Sequence, residues 1–390
     1  MKSEAKKRIV MVSGHNPYDG RIFHKEAKSL VGMGYRATIV GWDFKGDGLK
    51  KVDNGVKLEF HPFRLPKGKN IFSKARFFRK KVMPIIQKKI LSHKPDIIHC
   101  HDLETLPVGV KAARRAKCKL IYDCHEYWPE MEWHQNKIWG VVTWFLEKIN
   151  VRKVDAVITV SDHLADKFKR KKIPTEVLFN TTRYEDAKKL VNSEKKFFCP
   201  ELGLPNDKII IGYVGAMNYR MDFDSYVKAL SGLDDNIIMV FVGGAEARLE
   251  KLKKLAEGLG VAKRLITHSW VDYDTCLKYI YSFDIGLQAL ISDSMAEHTF
   301  PTKIFEYMAL KVPYVAPDLQ AMADFTRKWN SGYVLDGRSP DDIIKTITDA
   351  VSDPERNKKI GMKSHKNVKE KFSWEIMEKR LGKFYERILR

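Results

Sequence analysis

The sequence has no uninterrupted apolar run approaching the ~18 residues of a transmembrane helix, so the chain is not expected to span a bilayer. Cysteine is scarce. The five residues, Cys100, Cys118, Cys124, Cys199 and Cys276, are an odd number without a Cys-x-x-Cys spacing. That argues against a disulfide framework or a zinc site and for reduced thiols in a cytosolic setting. Gly (24) and Pro (15) are too few in 390 residues for a low-complexity chain. The opening residues, MKSEAKKRIVMVSG, pass from charge directly into a strand-like run, which is not the pattern of a signal peptide. Acid is missing from one long stretch: Arg64 to Lys94 holds eleven Lys or Arg and no Asp or Glu.

What is present is a globular composition, 44% hydrophobic and 31% charged, in a chain long enough for two domains. The net charge of +21 points to an anionic partner: nucleic acid, membrane or small ligand. No RRM, KH or helix-turn-helix signature supports nucleic acid. Within 64–94, Ile71, Phe72, Phe77, Phe78, Val82, Ile85, Ile86 and Ile90 are interleaved with the cations, in a helical pattern interrupted near Pro84. This fits a helix lying on an anionic bilayer, and equally a domain helix with its stripe in the core; the absence of acid tips the expectation towards the bilayer.

Short apolar runs alternate with helical patterns along the whole chain. "RIVMVSG", "ATIVGW", "PDIIHC", "KLIYDC" and "DAVITV" come first, and after a Lys-rich connection "KIIIGYVG", "IIMVFVGG", "RLITHSW", "DIGLQAL" and "VPYVAPD". Runs nearly continuous in Val, Ile and Leu suit strands buried on both faces of a parallel sheet. The expected fold is α/β, with two Rossmann-like, doubly wound domains facing across a cleft. The boundaries expected are 1–183 and 184–372, with the amphipathic segment 373–390 packing back on the first domain.

Several landmarks in order resemble the retaining GT-B glycosyltransferases, specifically family 4. They are "DGRIFHKEAKSLVGMGYRATIV", "PDIIHCHDLETLP", "LIYDCHEYWPE", "VITVSDHLADKF", "VLFN" and "FPTKIFEYMALKVPYVAPD". Each alone is weak; their order over most of the chain is specific. In the last, Pro301 suits a first helical turn, whose N–H groups and dipole favour a diphosphate. One turn on, Glu306 is placed to accept hydrogen bonds from a ribose diol. The resemblance implies that role for Glu306. Thr302 and Lys303 lie in the same entry, with Lys303 a diphosphate partner or a surface lysine. The family has another glutamate eight residues before Glu306; here that place holds His298, beside Glu297, which leaves the sugar open.

In "YVGAMNYRMDFDSY", Ala216 stands where many members have a phosphate-clamping arginine, and Arg220 is the nearest basic candidate. Gly215 and Val271 join the nucleotide-sugar set. The Asp222–Asp224 and Asp272–Asp274 look-alikes of a metal-binding DxD fall at expected helix starts and read as caps. The resemblance implies that His125 contacts the donor sugar near the reacting centre, with Glu126 on the acceptor side. Gly14 would let the first loop approach the diphosphate closely. Asp19 and Arg21 are acceptor-side candidates equally well read as a helix cap and a surface pair. His99, His101 and His125 lie at neighbouring strand ends without a helix-spaced pair, so no metal is expected.

The implied activity is transfer of a sugar from a UDP- or GDP-sugar to a hydroxyl of a lipid-linked or surface-glycan acceptor, with retained configuration and no cofactor. The expected location is cytoplasmic, peripheral on the inner membrane face. Competing readings are an epimerase or hydrolase of nucleotide sugars on the same fold and, more remotely, a basic nucleic-acid-binding protein.

Overall fold

The runs of Val, Ile and Leu become strands whose residues are buried on both faces, which is why the sequence shows continuous rather than alternating hydrophobicity there. The structure is a computed structural model that describes residues 6–44, 46–65, 71–129, 133, 136–194, 196–291 and 300–390. The chain divides into two compact units, Met1–Phe179 with Met377–Arg390, and Asn180–Ile376.

The first unit is built on an eight-stranded sheet. Its strands are β1 (Arg8–Ser13), β2 (Arg36–Asp43), β3 (Leu49–Asp53), β4 (Val56–Pro62), β5 (Ile97–His101), β6 (Lys119–Cys124), β7 (Ala156–Thr159) and β8 (Thr175–Val177). The order is β3-β4-β2-β1-β5-β6-β7-β8, and every pairing is parallel except the β3–β4 hairpin. β1 pairs with β2 on one side and β5 on the other, so the strand order reverses at β1/β5. In open α/β sheets the crevice at such a reversal, beyond the carboxyl ends of the strands, is where ligands bind.

The second unit repeats the plan with β9 (Ile209–Val214), β10 (Ile237–Val242), β11 (Leu265–His268), β12 (Ile285–Leu287), β13 (Tyr314–Ala316) and β14 (Tyr333–Val334). All are parallel, in the order β11-β10-β9-β12-β13-β14, and the reversal falls at β9/β12. Its core joins Ile211, Met239 and Phe241 of the sheet to Phe223, Val227 and Leu252 of the covering helices.

Within the basic stretch 64–94, part of the apolar stripe packs into the core of the first unit. Helix α1 (Met83–Ser92) carries Pro84 in its first turn, where a proline costs no hydrogen bond. Val82, Met83, Ile86 and Ile90 are buried in the core of the first unit. Phe77 and Phe78 pack on the same cluster, Phe78 edge-on to Trp42 at 4.9 Å. This part of the stripe faces inward, whereas Ile85 and most of the cations are exposed. Side chains 71 and 72 lie outside the described residues.

Candidate active site

In the second unit the carboxyl end of β9 runs into Gly215, whose φ of 147° is one that L side chains rarely adopt. A Cβ there would stand 2.9 Å from Lys303 Cε and 3.0 Å from Tyr213 Oη, so glycine lets the loop lie against that lysine. Gly243, just past β10, also has positive φ, and a Cβ on it would press to 2.6 Å from the Gly215 carbonyl oxygen. Two glycines thus bring two strand ends into contact.

Helix α4 (Thr302–Ala309) starts beside them; α2 (Asp102–Ala116) and α3 (Lys137–Val151) precede it in the first unit. Pro301 is the residue that flanks α4, not part of its first turn, and no side chain caps that end. Lys303 Nζ lies 2.9 Å from Glu306 Oε2, an i,i+3 pair in which the glutamate is almost fully buried and the lysine part-exposed. Glu306 also acts on Tyr213, whose phenol burial and this carboxylate push upward, and on Tyr273, raised for the same two reasons. Tyr273 Oη is 2.9 Å from Thr182 Oγ1. The loop holding Arg220 is tied to the β12 side: Ile291 N donates to Arg220 O, and Asp222 N to Ala289 O. Val271 is half-buried, and its carbonyl accepts from Cys276 Sγ. His298 and Glu297 lie outside the described residues. Asp222 and Asp272 are helix caps, accepting from Ser225 N and Thr275 N, and Asp224 pairs with Arg248.

The first unit gathers charge differently. His99 and His101 alternate along β5 and therefore share a face, ring centroids 4.3 Å apart. Asp123, next to last on β6, sits among them: its Oδ2 is 2.9 Å from His125 Nε2, 3.4 Å from His101 Nδ1, 3.7 Å from His99 Nε2 and 3.2 Å from Arg21 Nη2. Arg21 also pairs with Glu26 at 2.8 Å and donates to Leu178 O. Its reading as a surface pair is corrected: the guanidinium is 5% exposed and pairs with two buried acids, Asp123 and Glu26. Asp19 is a cap, accepting from Arg21 N and Ile22 N. The three histidines, read as merely neighbouring, converge; the period-2 spacing of His99 and His101 was the available signal.

Electrostatics sort these groups. Burial opposes charge on His125, but Asp123 and Asp102 outweigh it and raise its pKa to about 9, so the ring is an imidazolium at neutral pH. Burial likewise works against the Asp123 carboxylate, yet Arg21 and His125 hold it well below its usual range. Burial, with Asp123 nearby, lifts Glu26 to about 8. Burial keeps His99 and His101 neutral.

At the β1/β5 reversal, Asp102 adopts a φ of 62°, a strained value for a non-glycine residue. Its carboxylate faces His15 Nε2 at 2.9 Å and His125 Nδ1 at 3.6 Å, and accepts from His125 N. A Cβ on Gly14 would strike the Glu104 carboxylate and the Trp42 ring, so here glycine admits protein side chains. Glu104, raised to about 7 by burial and Asp102, had no signal in the sequence. Glu126 is exposed.

Two sets of donor atoms are spaced for a metal ion among the described residues, Glu26–His99–His101–Asp123 and His15–Asp102–His125. In the first, Arg21 already supplies the cation.

Two parallel-sheet units, each with polar groups at its own strand-order reversal, match the GT-B architecture. Sucrose-phosphate synthase from Thermosynechococcus elongatus has the same fold, with a TM-score of 0.77 at 15% identity over 98% of this chain and 99% of that one. HepE from Anabaena, solved in complex with UDP, gives 0.70 at 15% identity over 98% and 100%. An uncharacterised glycosyltransferase of Methanocaldococcus jannaschii is 24% identical over 75% of each chain. Glycosyl transferases group 1 match residues 194–367, and Glycosyltransferase Family 4 matches 20–180. The chain belongs to the group 1, family 4 glycosyltransferases.

Proposed function

We propose that this glycosyltransferase moves a sugar from a UDP- or GDP-sugar to an acceptor hydroxyl on a lipid-linked or surface glycan, with retention of anomeric configuration. The observation that carries the reading is the Lys303–Glu306 pair at the start of α4, against Gly215 at the β9/β12 reversal. Glu306 accepts the two ribose hydroxyls, a task for which an ionised carboxylate has enough lone pairs. Lys303 then turns to the diphosphate, and the uncapped start of α4 adds its dipole. Charge building on the leaving diphosphate is held by these groups, fixed before the reaction. The His125 imidazolium is the residue to which the family resemblance gives the donor sugar, and the acceptor hydroxyl loses its proton to the leaving phosphate. The UDP held by HepE favours a uridine donor without deciding the sugar.

No metal or cofactor enters this scheme, in which Lys303 and His125 are the cations used. The five cysteines stand free, which fits a reducing, cytoplasmic setting. The test is release of nucleoside diphosphate from UDP- and GDP-sugars with and without a hydroxyl acceptor, reading the product anomer by NMR. Acceptor-dependent release with the donor's configuration is expected. Release that ignores the acceptor would make the protein a hydrolase.

A further inference from the structure

Helix α3 (Lys137–Val151) of the first unit is built inside out. Its buried side is a stripe of small and polar residues, Gly140, Thr143, Glu147 and Asn150, with Val151. Their spacing of three and four keeps them on one face. Gly140 lies so close to Trp133 that a Cβ would come 2.6 Å from its Cα. Thr143 Oγ1 donates to Trp139 O and Asn150 Nδ2 to Leu146 O, so both polar groups are satisfied within the helix. The opposite face is apolar and open: Ile138 is 65% exposed, Phe145 55% and Val141 50%, with Trp144, Leu146 and Ile149 beside them. A contiguous apolar patch of this kind marks a contact surface rather than ordinary exposed hydrophobics.

The charges around the patch decide what it contacts. Lys137, Lys148, Arg152 and Lys153 are exposed at its margins, and Lys148 Nζ stands 4.4 Å over the Trp144 ring. The single acid of the helix, Glu147, is turned inward and is 2% exposed. The outward surface is thus apolar and cationic with no acid, on a chain of net charge +21. A second copy would bring the same cations against these. An anionic bilayer surface complements both features, with the rings at headgroup depth and the cations among the phosphates. No helix among the described residues is long and apolar enough to cross a membrane, so the contact is superficial.

We propose that the outward face of α3 docks the protein on an anionic lipid surface. The inference concerns a surface separate from the nucleotide-sugar groups and stands whether or not the transfer chemistry is as described. The experiment is sedimentation of the full chain with phosphatidylcholine vesicles and with phosphatidylglycerol-rich vesicles, the latter also carrying brominated acyl chains to quench tryptophan. The expected result is binding to the anionic vesicles only, weakened by salt, with quenching in the wild-type chain. Trp144→Ser with Phe145→Ser should reduce it about tenfold or more, since two exposed rings lose their apolar host, while the unfolding midpoint stays unchanged. Equal partition to neutral vesicles, undiminished binding by the double variant, or absent quenching would overturn the proposal. So would a concentration-dependent dimer that the double variant abolishes, which would make the face a protein interface. The wild-type quenching decides the matter even if the double variant fails to fold.

Discussion

The two units place charge at their strand-order reversals in opposite ways. In the first, one carboxylate, Asp123, faces Arg21, His99, His101 and His125 at once, and Tyr385 closes the web on His99 at 2.7 Å. In the second, one glutamate meets one lysine three residues away. The web is largely neutralised from within and costs much to disturb. The pair leaves the Glu306 carboxylate one ion-pair partner that is itself part-exposed, so a ligand can replace that partner cheaply. The first arrangement is suited to holding an imidazolium in place, the second to exchanging contacts with a substrate.

The largest effect that would break this contrast is on stability. Asp123→Ala leaves Arg21 and His125 buried without their common counter-ion, which should cost ~3–5 kcal/mol. The unfolding midpoint should fall by roughly 6–20 °C. Glu306→Ala, scanned beside it, should lower the midpoint far less, because Lys303 can turn to water. Equal losses would mean that the two sites are held alike.

Kinetics sharpen the same contrast. His125→Gln should lower kcat ~10²–10³-fold while nucleotide affinity survives, as expected for a group that acts on developing charge. Glu306→Gln should do the reverse, weakening nucleotide binding ~10–100-fold through lost charge-assisted hydrogen bonds. Steady-state kinetics on both variants read the split, and a His125→Gln enzyme impaired only in KM would contradict it.

A third difference appears with pH. His125, raised to about 9, and Glu26, raised to about 8, both bind protons more tightly when folded than when unfolded. For each, stability is fully present below the unfolded pKa and is lost as pH rises through the folded one. The midpoint should therefore fall from about pH 6.5 to about pH 9.5, and the fall should be shallower in His125→Gln. A midpoint that rises over that window would refute the assignment. Smallest of all, Tyr385→Phe removes one neutral partner of His99 and should cost ~0.5–1.5 kcal/mol, read in the same scans.

How much could be read in advance follows from sequence distance. The strands were legible because burial on both faces leaves continuous apolar runs such as "IIMVFVGG". Lys303 and Glu306 were each legible as candidates because they lie on one short helical segment; that they pair was not. The web was not, since its members come from residues 21, 26, 99, 123, 125 and 385 and meet only after the sheet forms. Arg21 was left between an acceptor-side candidate and a surface pair because a pattern of local neighbours does not register a partner a hundred residues away. The direction of the stripe in 64–94 was left open for a related reason: composition shows that a helix has an apolar stripe, not which way it turns. In α1 the stripe faces the core and in α3 it faces out. The inward Gly140, Thr143 and Glu147 of α3 were the missed sign, a polar stripe at core spacing.

The most direct test of the central claim is thermal unfolding with UDP, GDP and ADP, on the wild type and on Glu306→Gln. A nucleotide at one hundred times its dissociation constant adds ~2.7 kcal/mol, and the midpoint should rise by roughly 5–11 °C with one base. Glu306→Gln, still folded, should lose most of that rise. No rise with any nucleotide, or an equal rise in the variant, would remove Glu306 and its helix from the donor site.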